Sequence, residues 1–263
     1  SVWTPLKEDS ANYDAIVAAK GTGSLRGRTA GNARGQYAVD LQLTGSADNQ
    51  VASGDKSVAV GSGNRVSGAD SQAIGTSNVV TGANSFAAGK SIALQDADTV
   101  AIGNGNNVTT AESVAIGKSN TVDSDDSIAV GIQNIVTESY SVTIGKANTA
   151  NEANAVVIGN ANSVDEINSI AIGSDNDGDG EYNTLIGAGN TATANGVTAI
   201  GDGNAASAPN TTMIGSALSA DGDGAFVTGK QATAHLKRQK AHGINDENLQ
   251  YFFDNYVDDT VLT

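Results

Sequence analysis

The sequence predicts an all-β fold, a parallel β-solenoid wound in 14-residue coils. Glycine recurs at Gly61, Gly75, Gly89, Gly103, Gly117, Gly131, Gly145, Gly159, Gly173, Gly187, Gly201, Gly215 and Gly229, each step being 14 residues without an insertion. Other columns keep the same register, so that the unit reads S-V-A-I-G-x-x-N-x-V-x-x-x-x. The composition fits no thick core: 32 Gly and 4% aromatic residues leave few bulky apolar side chains for a compact domain of 263 residues. A fixed period of this kind marks a stacked-repeat architecture.

Within one unit, Val-Ala-Ile alternates with period two, as in Val58-Ala59-Val60 and Val114-Ala115-Ile116. Val and Ile therefore share one face of a short strand and Ala takes the other. The bulky face is expected inward, leaving the Ala face for close approach between chains. Glycine permits the turn that follows, and Asn three residues on, as at Asn64, Asn78, Asn106 and Asn120, tolerates left-handed backbone and hydrogen-bonds locally. A second short strand carries Val66, Val108 or Val164 before a polar turn. Successive coils would stack at roughly 4.8 Å, and thirteen of them would extend about 60 Å. One coil encloses too few apolar side chains to stand alone, so an obligate oligomer is expected.

Segments such as Ser57-Val58-Ala59-Val60-Gly61, Ser113-Val114-Ala115-Ile116-Gly117 and Ser169-Ile170-Ala171-Ile172-Gly173, each with Asn three positions beyond the glycine, resemble the head repeat of YadA-like trimeric adhesins. The resemblance covers about residues 57–232. It implies a left-handed parallel β-roll, a homotrimer, and core packing by the Ile and Val before each glycine. Upstream, Gly31-Asn32-Ala33-Arg34-Gly35, Ala38-Val39-Asp40-Leu41-Gln42 and Asn49-Gln50-Val51-Ala52-Ser53-Gly54 resemble segments of bacteriophage tail-fibre and other virion fibre proteins. The tail from His235 to Thr263 has no sustained heptads and departs from the neck and coiled-coil stalk of the bacterial adhesins.

Three regions are expected. Residues 1–46, with Trp3, Pro5 and Tyr13, form an attachment or capping region; 47–232 form the β-roll; 233–263 form a cap with a short helix. Asn245 suits a helix N-cap, followed by Asp246 and Glu247 in the first turn and an aromatic stripe of Leu249, Phe252, Phe253 and Tyr256.

The net charge of −15 argues against nucleic acid and anionic membrane faces as partners. No apolar run reaches the length of a membrane span, and no membrane insertion is expected. Gly89-Lys90-Ser91 imitates the end of a phosphate loop, yet Asn84 stands where that loop requires glycine. No G-x-S-x-G elbow occurs, and the chain is read as no enzyme, with no catalytic residues. Thr81, Thr109, Thr137 and Thr193 share a column, but Asp123, Asn151 and Asp165 interrupt it and argue against an ice-binding rank.

Asp175-Asn176-Asp177-Gly178-Asp179-Gly180 matches the opening of a calcium loop, with Ile186 at the position that needs Glu. Asp175, Asp177 and Asp179 therefore stand either as Ca²⁺ ligands or as a solvated acidic turn; no other cofactor is implied. The leading expectation is a phage virion fibre or spike. Its partners would be sister chains, other virion proteins, and a glycan or protein receptor on the host surface. The alternative is the head of an adhesin on a bacterial cell surface.

Overall fold

The computed structural model describes residues 34–44 and 50–242, and every regular element among them is a β-strand. The segments assigned above to an attachment region before residue 34 and to a C-terminal helix near 246–257 lie outside the described residues. The chain divides into two units, 1–104 and 105–263.

In the first unit, the five-residue strands Val58–Ser62, Gln72–Thr76, Phe86–Lys90 and Val100–Asn104 pair in parallel, Gly61 opposite Gly75, Gly75 opposite Gly89 and Gly89 opposite Gly103. Two-residue strands Arg65–Val66, Val79–Val80 and Ala93–Leu94 form a second ladder. Ahead of them Val39–Thr44 pairs with Val58–Ser62, through a register shift between Gln42 and Thr44. The second unit repeats the pattern. Its long strands run from Val114–Lys118 through Ile128–Ile132, Val142–Lys146 and onward to Lys240–His242, and its short ones from Asn107–Val108 to Thr233–Ala234. All these pairings are parallel and, from Val58 onward, join residues 14 apart, which is the solenoid the period predicts; the Val39–Thr44 pairing joins residues 19 apart, then 18.

The inward face reverses the sequence expectation. Ala59, Ala73, Ala101, Ala115, Ala129, Ala171 and Ala199 are fully buried, whereas Ile74, Ile102, Ile116, Ile144, Ile186, Ile200 and Ile214 are 36–45% exposed. Alanine therefore lines the inside of most coils, and the Val/Ile row expected to pack the core lies outside. The reason is width. Two tight turns hold the long strand close over the short one, and the gap already contains the buried short-strand valines Val66, Val80, Val108, Val122, Val136 and Val164.

The two inner columns trade volume along the chain. Val122 is followed by Ala129, Ala150 by Val157, Gly178 by Leu185, and Ala206 by Met213, and every non-glycine member is buried. At Gly178, the side chain of Leu185 lies 3.5 Å from where a Cβ would stand. Close packing at fixed cross-section requires this compensation.

Candidate functional site

Three features of the coil carry its chemistry: the turn, the outward apolar row and an acidic corner. Each repeat glycine has a positive φ, between 96° and 149°. At Gly145 (φ 125°) an added Cβ would lie 1.9 Å from the carbonyl oxygen of Gly159 in the next coil, so both the turn and the stacking distance exclude a side chain. The same exclusion applies at Gly61, Gly75 and Gly89 in the first unit and from Gly117 to Gly215 in the second.

Asparagine plays a different part from the one expected. The left-handed residue is the one before it, Ser77, Ser119, Gln133 or Ala147 among others, while the asparagines are buried. The Asn148 Nδ2 group donates to the carbonyls of Ile144 (3.0 Å) and Gly159 (2.9 Å) and to Asn134 Oδ1 (3.1 Å). Its own Oδ1 accepts from the backbone N–H of Asn162 at 3.2 Å. Each amide thus ties the turn of its own coil to those before and after it. The ladder runs through Asn106, Asn120, Asn134 and on to Asn204, where Leu218 accepts no further amide but donates its N–H to Asn204 Oδ1. A shorter one links Gln42, Asn64 and Asn78 and ends at Ile92. At the opposite corner, serine hydroxyls do similar work: Ser127 Oγ accepts from Ser141 N–H, and Ser141 Oγ from Ala155 N–H.

With turns and interior occupied by structural contacts, the outer surface of the long strands is left to make interactions. In the second unit Ile116, Val130, Ile144, Ile158, Ile172, Ile186, Ile200 and Ile214 stand in one column, in register through successive parallel pairs. Beside it, two residues earlier in each strand, run Val114, Ile128, Val142, Val156 and Ile170. Such a contiguous half-exposed apolar face is what marks a contact surface on a soluble protein.

The acidic corner differs from the expected triad. Carboxylate oxygens of Asp165, Asp177 and Asp179 lie within 4.8 Å of one another, and Asp175, in left-handed backbone at φ 54°, is not among them. A calcium loop wraps around its ion, but here the chain passes through as the strand Asp177–Gly178, so ligands converge from adjacent coils instead. Asp165 precedes Asp179 by one repeat, and that spacing was the signal available in the sequence. Partial desolvation, then the charges of Asp177 and Asp165, raise the Asp179 carboxyl above its ordinary 3.8. Three carboxylates suit a hard cation in kind, but Ca²⁺ takes about six to eight oxygens, and Asp165 already accepts hydrogen bonds from Asn151 and Ser163.

Further along, cross-coil pairs replace like charges: His235 Nδ1 meets Asp221 at 2.7 Å and Lys237 Nζ meets Asp223 at 3.1 Å. The Asp223 carboxyl is held below its ordinary value by a hydrogen bond from Asn210 and then by Lys237.

No helix among the described residues is long and apolar enough to cross a membrane. Among curated proteins, none matches the chain. The family described as YadA head domain repeat matches it over residues 52–71, 97–120 and 150–176, so that the chain carries YadA-like head repeats within an all-β parallel solenoid.

Proposed function

We propose that the chain is a structural subunit of a surface-exposed homotrimeric fibre that attaches a phage virion to its host cell. The observation that carries this reading is the apolar Val/Ile row on the outer face of YadA-like coils. Alanine-cored coils bury little apolar surface of their own, and sister chains laid against the row would bury the rest. Covering the exposed part of one isoleucine is worth about 1 kcal/mol, a term that recurs at every coil. The buried asparagines and serines of the coil are spent on its own ladders, which supports a scaffold for binding.

The same repeats suit the head of an adhesin on a bacterial surface, and the match at 52–71, 97–120 and 150–176 favours that setting equally. Antibody raised against the chain separates the two. Labelling of purified virions, with adsorption of the purified protein to host bacteria, is the expected result. Labelling confined to bacterial cells would move the protein to the second setting. Adsorption to no cell surface would remove the attachment role.

A further inference from the structure

Every tyrosine among the described residues, Tyr37, Tyr140 and Tyr182, sits in left-handed backbone at φ 59–61° and is 59–78% exposed. At the equivalent corner of other coils stand Asp70, Asn84, Asp98, Asp126, Asn154, Asn168, Asn210, Gly196 and Gly224, residue types that suit this conformation, together with the long charged Lys56, Glu112 and Arg238, of which Lys56 meets Asp70 at 3.5 Å. A bulky ring there is strained, and neither Tyr140 nor Tyr182 gains a hydrogen-bond partner for its hydroxyl among the described residues. Strain that local packing does not offset points to a role outside the fold.

The second unit arranges four of these corners in sequence: Tyr140, Asn154, Asn168 and Tyr182. Their backbone N–H groups donate to Asp125, Ser139, Ala153 and Ile167 carbonyls at 3.1–3.3 Å, which locks the row into the coil spacing. The two tyrosine corners therefore stand roughly 14 Å apart along the backbone, three steps of the ~4.8 Å strand spacing. Between them the exposed Asn154 and Asn168 carry amides with no side-chain partner among the described residues. Glu152 and Glu166, two residues before each, make the margin acidic.

Building on the attachment role proposed above, we infer that this row is a docking line for a linear polysaccharide without acidic groups. Tyrosine offers a flat apolar face with a polar edge at low conformational cost, which suits stacking against the ring of a sugar. An extended hexose chain advances by about one ring length per residue, close to one coil step. A sugar on each tyrosine thus leaves the intervening hydroxyls opposite the two amides. A globular protein partner would not follow a one-dimensional row at coil spacing, and the carboxylates repel acidic polymers.

Affinity electrophoresis of the full chain through gels containing neutral, amino-sugar or acidic linear polysaccharides tests this. Retardation by at least one neutral or amino-sugar polymer is expected, weakened about tenfold or more in the Tyr140→Asn/Tyr182→Asn double variant. Asn suits the left-handed corner, so the double variant should melt no lower than the parent. Three results overturn the inference: no retardation by any non-acidic polymer, unchanged retardation of the double variant, or a loss accompanied by altered oligomeric mass. Adsorption to host cells keeps the two readings apart. A double variant that adsorbs like the parent sinks the tyrosine row alone, whereas a parent that adsorbs to no cell sinks the attachment role.

Discussion

Thr143 occupies the inner column that alanine fills in the neighbouring coil, and its buried hydroxyl has no hydrogen-bond partner. Desolvating an unpaired hydroxyl costs free energy that a methyl group of the same shape avoids. Thr143→Val should therefore raise stability by about 1 kcal/mol, read as a higher midpoint in urea. Gly145 lies at the other extreme. Ala at this position combines a positive φ with a Cβ 1.9 Å from the Gly159 carbonyl, so the coils must separate locally. A loss of about 3 kcal/mol is expected for Gly145→Ala, checked by the same unfolding curve. At Asp179 the effect depends on pH. Its raised folded pKa means that the folded state holds the proton more tightly than the unfolded chain does. Stability contributed by this group is therefore lost as pH rises from the ordinary 3.8 through the shifted value. Asp179→Asn should melt higher than the parent at neutral pH and equally once both are below that window, as thermal scans across pH would show.

Within one coil, what the sequence made legible and what it hid have separate physical causes. The 14-residue period, the turn at Gly61 or Gly145, and the two strands follow from backbone freedom and alternation, which are local properties. Which face points inward is not local. Alternation in Val114-Ala115-Ile116 distinguishes two faces without ranking them, and the habit of burying the larger residue selects the wrong one. The deciding quantity is the gap between the two strands, set by the turns. Its trace in the sequence is the exchange of volume between columns, Val122 with Ala129 but Gly178 with Leu185. Asparagine was legible as a corner residue, yet its ladder depends on stacking that no single unit displays. Asp165 belongs to the acidic corner for the same reason: it lies one repeat earlier in the chain and is brought alongside Asp179 by stacking of the coils.

At the scale of the molecule, reversal of the faces changes the basis of association but strengthens the case for it. Alanine against alanine would have given close approach with little apolar burial. Outward Val and Ile instead leave each chain with an apolar strip that its own coils cannot cover. Ile144 and Ile172 lie on that strip, away from the packed interior. Replacing both with Asp should leave the strand content unchanged while opposing like charges across a contact between chains.

The mass of the purified chain in solution, by size-exclusion chromatography with light scattering, tests this directly. The parent should elute as three times the 26.3 kDa chain, and Ile144→Asp/Ile172→Asp should shift it toward a single chain with unchanged far-UV circular dichroism. A parent that is a stable monomer, with its Val/Ile strip open to solvent, would contradict the claim that sister chains cover it.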